Sequence, residues 1–213
     1  MAGKQELMQF WKSNFRFSQA VVEAFESVDR SLFVPGELAL AAYDDSPLPT
    51  LRGKTISQPT TVMIMTDALE LKEGGKVLEV GTGSGYQSAI IAKIVKEKGK
   101  VVSTEIVPEL VGFARENLAR AGITNVKVLE EDGTKGVLSE APFDAIIITA
   151  ACREFPKPLL DQLKVGGIIV GPVGDAYSQT MLKARKQSTG PLEIEYLGPF
   201  IFSPLYGKYG FEV

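Results

Sequence analysis

The chain contains no histidine. That absence removes the commonest general base near neutral pH, the Ser-His and Cys-His nucleophile pairs, and the most frequent zinc ligand. Cysteine is nearly absent as well. The lone Cys152 excludes an internal disulfide and a cysteine-rich metal site, so no metal is expected, and it suits a reducing cytoplasm. Nor is there an excess of positive charge: 23 Lys and Arg stand against 26 Asp and Glu, for a net charge of -3. With a pI of about 5.2, a nucleic-acid partner is not expected. A membrane partner is not expected either, because no apolar run approaches the length that spans a bilayer. The opening "MAGKQELMQFWKSNF" is polar and broken by charge, and reads as neither signal peptide nor transit sequence. No internal repeat or low-complexity tract interrupts the chain.

What is present is an ordinary globular composition over 213 residues, 45% hydrophobic and 23% charged, enough for one domain with a real core. We expect a single domain spanning 1–213, acting as a monomer, with an N-terminal part over 1–59 and an α/β core over 60–213. The N-terminal part shows helical spacing over 5–12 and 18–29. Ser18 is placed to cap the second helix, with Val21, Val22, Phe25 and Val28 along one face. From Phe33 to Pro59 the text is rich in Pro, Gly and Asp and reads as loop with short extended pieces. Thr60 or Thr61 is then expected to cap a helix through Leu71 whose core face carries Val62, Met65 and Leu69.

Beyond that helix the pattern alternates. Strands are expected over 76–80, 100–105, 126–130, 144–149 and 166–173, with helices over 86–96, 109–121 and 158–163. Apolar strands separated by helices predict βαβ units and a mostly parallel sheet covered on both faces. The tail differs, because 180–187 and 192–200 look extended with no helix between them. They are expected as antiparallel strands at the sheet edge, on a Rossmann-like α/β fold.

"VLEVGTGSGYQSA" (77–89) follows a strand and opens a helix, the context in which a glycine loop binds a ligand. The dinucleotide fingerprint needs a glycine at Tyr86, and the Walker loop needs G-K-[ST]; neither is met. What stands is E-x-G-x-G-x-G, with Glu79 before Gly81, Thr82, Gly83, Ser84 and Gly85. Glu105, with Ile106 behind it, closes the second strand, where a carboxylate can take both hydroxyls of a ribose. Asp132 and Gly133 follow the third, where they could border an adenine ring. Three acids at successive strand ends converge on the crevice where doubly wound sheets bind ligands. Carboxylates with few Lys or Arg suit a ligand with a ribose, a base and a cationic group but no phosphate, and S-adenosylmethionine fits that description. Taken singly, each acid is read as solvated or as a helix N-cap; together with the glycine loop they point to a cofactor site.

At this point a resemblance becomes specific. "VLEVGTGSGYQSAIIAKIV" is similar to the first motif of class I S-adenosylmethionine-dependent methyltransferases. "YDDSPLPTLRGKTISQPTTVMIMTDALEL" (43–71), "APFDAIIITAACREFPKPLLDQLKVGGIIVGPVG" (141–174) and "FSPLYGKYGF" (202–211) resemble protein-L-isoaspartate O-methyltransferases. The likeness runs over roughly 18–211. It implies the class I methyltransferase fold, S-adenosylmethionine as methyl donor and S-adenosylhomocysteine as product. It also implies isoaspartyl proteins and peptides as acceptors, methylated on the free α-carboxylate; the ester then collapses to a succinimide, whose hydrolysis returns some normal aspartyl linkage. Ser57, in T-I-S, is by this resemblance the active-site Ser that orients the carboxylate. Thr55, Ile56, Gln58, Phe202 and Ser203 are implied to contact the acceptor. Glu79, the 81–85 loop, Tyr86, Glu105, Ile106, Asp132 and Gly133 are implied around the cofactor.

Leu51, Arg52, Lys54, Ser203 and the Thr60-Thr61 pair depart from the family pattern around the acceptor. Lys54 is read as solvated, with attraction of the acceptor carboxylate as the alternative. The departures leave open a related methyltransferase with another carboxylate or small-molecule acceptor, and a binding module that transfers little. A nucleic-acid methyltransferase is disfavoured by the pI and by "TAACREF" after the fourth strand.

Overall fold

The computed structural model describes residues 3–212; Met1, Ala2 and Val213, the ends of the expected domain, lie outside the described residues. Two helices open the chain, α1 (Lys4–Asn14) and α2 (Gln19–Ser27). Ser18 stands at the start of α2 but makes no side-chain cap; its N–H donates instead to Asp67 Oδ1 at 2.9 Å. The segment read as loop carries short 3₁₀ turns and a small antiparallel hairpin, β1 (Leu48–Pro49) with β2 (Thr55–Ile56). The next helix, α3 (Pro59–Ala68), begins with Pro59 in its first turn, where a missing N–H costs nothing. Thr60 therefore does not cap it. Its hydroxyl donates to Asp45 Oδ2 and accepts from Trp11 Nε1, both at 2.7 Å, tying α1 and the hairpin approach to the residues that follow Ser57.

The core alternates as expected: β3 (Lys76–Val80), α4 (Tyr86–Val95), β4 (Lys100–Glu105), α5 (Pro108–Arg120), β5 (Val126–Glu130), β6 (Phe143–Ile148) and α6 (Lys157–Gln162). The following strand, β7 (Leu163–Gly174), is longer than its 166–173 expectation and starts directly after α6. The tail forms β8 (Gln179–Arg185) and β9 (Glu193–Phe200), antiparallel to β7 and to each other. The seven strands run in the order β5-β4-β3-β6-β7-β8-β9.

Chain order reverses between β3 and β6, the switch point where parallel sheets bind ligands. Val80 pairs with Thr104 on one side and with Ile148 on the other, so the carboxyl ends of three strands reach one rim together. The central strands β3, β4, β6 and β7 bury both faces. Val77, Ala145 and Val170 join the cluster under α1 to α5, while Leu78, Val102 and Ile146 join the one beneath α6 and the C-terminal tail. Helix α4 is buried along nearly its whole length because the sheet covers one side and α2 the other. At the opposite rim Glu140 gathers Lys76, Lys100 and Lys127 from the amino ends of β3, β4 and β5. No helix among the described residues is long and apolar enough to cross a membrane.

Candidate active site

The glycine loop joins β3 to α4 at the switch point. Gly81, Gly83 and Gly85 have φ of 99°, 54° and 88°, the left-handed region that glycine enters without strain. The Gly81 and Thr82 N–H groups both donate to Thr104 O, at 2.9 and 3.0 Å, which folds the loop over the end of β4. A Cβ on Gly81 would strike the Thr149 hydroxyl, which donates to Gly81 O at 2.5 Å. Gly81, Thr82, Gly83, Ser84 and Tyr86 line one cavity of about 980 Å³, within the range of small-molecule sites. Gly85 does not line it. Its α-carbon faces Ala114 and Leu118, so this glycine allows α5 to pack closely on the loop.

The three acids separate in the structure. Glu105 lines the cavity, with Ile106 beside it. Its Oε2 accepts from Gly83 N at 2.9 Å, and its Oε1 from Ile106 N at 2.9 Å and Val107 N at 3.1 Å. A carboxylate offers about four lone-pair positions, so capacity remains for an incoming hydroxyl.

Glu79 does not reach the cavity, contrary to expectation. It is wholly buried beneath the loop, where Oε2 accepts from Ser88 Oγ and from Ser103 Oγ, the latter at 2.5 Å, while Oε1 has no partner. Burial pushes its carboxyl up to about 7. The Ser103 hydroxyl spends its proton on Glu79, so in the 2.6 Å contact between Thr82 Oγ1 and Ser103 Oγ the donor is Thr82. Thr82 thus turns its proton inward and presents lone pairs to the cavity.

Asp132 also stays off the cavity wall, contrary to expectation. It caps a 3₁₀ turn, accepting from Thr134 N at 3.0 Å, Thr134 Oγ1 at 2.6 Å and, from the tail, Lys208 N at 3.0 Å. Burial alone would raise its carboxyl, but the Lys208 and Thr134 bonds hold it below the usual range. Its neighbours Glu131 and Gly133 border the cavity, and a Cβ on Gly133 would strike the Thr104 hydroxyl and come within 2.7 Å of Val80 Cγ1.

The opposite wall comes from β2 and the tail. Thr55, Ile56, Ser57 and Gln58 line it, joined by Phe202 and Ser203. Ala151 N donates to Ser203 O at 2.8 Å, Leu205 N to Ala151 O at 2.7 Å, and Phe202 N to Gln179 Oε1 at 2.8 Å. These bonds stitch the tail to the chain leaving β6 and to β8. Sequence reasoning passed over Gln87, Glu131, Thr149 and Tyr206, which also line the cavity. Gln87, one residue past Tyr86 in the loop helix, and Tyr206, inside the quoted tail segment, were within reach of the motif. Glu131 and Thr149, at the ends of β5 and β6, carry no local signal.

The family model for protein-L-isoaspartate(D-aspartate) O-methyltransferase matches residues 2–210. A protein-L-isoaspartate O-methyltransferase of Methanoculleus marisnigri is 47% identical over 91% of this chain and 86% of its own. One of Pyrococcus horikoshii is 44% identical over the full length of both chains. A solved protein-L-isoaspartate O-methyltransferase superposes with a TM-score of 0.86 at 28% identity, covering 98% of this chain and 67% of that one. A Plasmodium falciparum chain, solved as a candidate enzyme of the same name with S-adenosylhomocysteine, has a TM-score of 0.82 at 24% identity over 97% and 99%, and supports the fold.

Proposed function

Because the chain belongs to the protein-L-isoaspartate(D-aspartate) O-methyltransferase family, we propose that it methylates the free α-carboxylate of L-isoaspartyl residues, with S-adenosylmethionine as donor. One observation carries the reading: the glycine loop with Glu105 and the segment around Ser57 open on the same cavity.

The residues suit the donor. Thr82 Oγ1 and the Glu105 carboxylate face the cavity as acceptors, matching a ligand that brings ammonium and hydroxyl donors. Gly83 lines the cavity, and a Cβ there would meet no protein atom within 4 Å. When bound, S-adenosylmethionine supplies an electrophilic methyl group on a sulfonium.

Glu105 would take a ribose hydroxyl with its remaining lone pair, and the 81–84 loop would hold the methionine portion. Ser57 donates a hydrogen bond to one oxygen of the acceptor carboxylate and leaves the other free to attack. Because a carboxylate has a pKa of about 4, the acceptor arrives as an anion and needs no general base. A chain without histidine is therefore sufficient. Ile56 and Phe202 keep bulk water from the line of transfer, where orientation supplies most of the rate. Action as a monomer belongs to the same proposal. The single, buried Cys152 supports residence in a reducing cytoplasm.

Matched peptides with isoaspartyl or normal aspartyl at one position, incubated with radiolabelled S-adenosylmethionine, test this. Base-labile methyl ester only on the isoaspartyl peptide is expected. Equal labelling of both would point to a different acceptor, and no labelling with cofactor still bound would make the protein a binding module.

A further inference from the structure

The charges around the cavity are segregated. Its acids, Glu105 and Glu131, stand at the ends of β4 and β5 in the cofactor half. Among the described residues that line it there is one cation, Lys54, immediately before β2 in the acceptor half. Lys54 has no carboxylate partner among the described residues. Neighbouring Arg52 is already neutralised by an ion pair with Glu109 of α5. The Lys54 ammonium rests 5.4 Å from the centre of the Tyr206 ring, which also lines the cavity, so a cation–π contact holds the charge at the mouth. Ser57 lies three residues further on, so its Cα is within about 11 Å of the Lys54 Cα even in extended chain.

We propose that Lys54 is the specificity-determining cation of the acceptor half, which captures the acceptor's free carboxylate and guides it toward Ser57 past the two acids. The proposal rests on the reading of this cavity as a site of carboxylate methylation. The chemistry defines how Lys54 acts. During transfer the carboxylate loses its negative charge and the sulfonium its positive one. A fixed cation near the carboxylate therefore stabilises the bound anion at least as well as the transition state. Its contribution appears in substrate capture, and none is expected in the chemical step. The interaction is partly solvated, so it weakens as the Debye length falls below the separation of the charges.

The test compares wild type with Lys54→Gln, Lys54→Arg and Lys54→Glu on one isoaspartyl peptide, from about 20 mM to about 500 mM salt. At low salt Lys54→Gln is expected to raise KM about 3- to 10-fold with kcat within about twofold, and Lys54→Glu to raise KM further. Lys54→Arg should stay close to wild type. The rise of wild-type KM with salt should flatten in Lys54→Gln. Peptide affinity in the presence of S-adenosylhomocysteine should fall in parallel, while S-adenosylhomocysteine affinity by calorimetry stays constant. Equal KM and equal salt slopes in wild type and Lys54→Gln would overturn the proposal, as would an Arg variant no better than Gln. Absence of any methyl ester with the wild-type protein would instead reject the underlying reading.

Discussion

Ser103 donates to Glu79 Oε2 at 2.5 Å and accepts from Thr82 at 2.6 Å, so a wholly buried carboxyl sets the direction of a hydroxyl that faces the cavity. The same carboxyl should leave a signature in stability. Its folded value of about 7 lies above its ordinary 4.5, so between those values the native state holds a proton that the unfolded chain has released. The benefit is full below the unfolded value and is lost as pH rises through the folded one. Urea unfolding of wild type and Glu79→Gln over this range should show the variant gaining on wild type by on the order of 3 kcal/mol from low to high pH. Parallel profiles would refute the burial argument.

Glu140 should behave in the opposite sense. Hydrogen bonds and charge from Lys100 and Lys127 hold its carboxyl down to about 2. Its contribution is present above the unfolded value of 4.5 and disappears as pH falls through about 2. Because the lysines remain roughly half exposed, Glu140→Gln is expected to cost only about 1 kcal/mol at neutral pH, less in high salt. The two proteins should converge in strong acid, as followed by thermal or urea melts.

Ser57→Ala removes the hydroxyl assigned to the acceptor. A hydrogen bond to a charged group contributes about 1.5–3 kcal/mol, so kcat/KM should fall roughly 10- to 100-fold. Calorimetry should find S-adenosylmethionine affinity nearly unchanged. A comparable loss of cofactor binding would mean that Ser57 belongs to the other half of the cavity.

The glycines of the loop should separate by position. Gly81→Ala combines a left-handed φ with collision against the Thr149 hydroxyl, whereas a Cβ on Gly83 meets no protein atom within 4 Å. Without cofactor, Gly81→Ala should destabilise by about 2–3 kcal/mol and Gly83→Ala by about 1 kcal/mol or less. Chemical denaturation of the two variants measures the difference. Equal losses would show that φ alone matters.

Much of the fold was legible because its signals are local. Apolar runs separated by helical spacing announced β3 to β7, and the change in the tail announced antiparallel β8 and β9. Short extended pieces were legible before Pro59, but their pairing as the hairpin of β1 and β2 was not, since two-residue strands leave no periodicity to read. Thr60 was mistaken for a cap because its partners, Asp45 and Trp11, are brought to it by the fold.

The sequence by itself determined the glycine loop, its place between strand and helix, and the lack of any histidine to serve as a base. Backbone conformation and residue chemistry are properties of short stretches, and they narrowed the ligand and the reaction together. Tertiary structure alone decided the fate of three similar acids. Glu105 was left at the cavity, Glu79 was sealed under the loop by Ser88 and Ser103, and Asp132 was taken by Thr134 and the tail at Lys208. It also made Lys54, one of 23 Lys and Arg, the cation on the cavity wall. Burial and partnership depend on residues far apart in the chain, and no local pattern encodes which of them will meet.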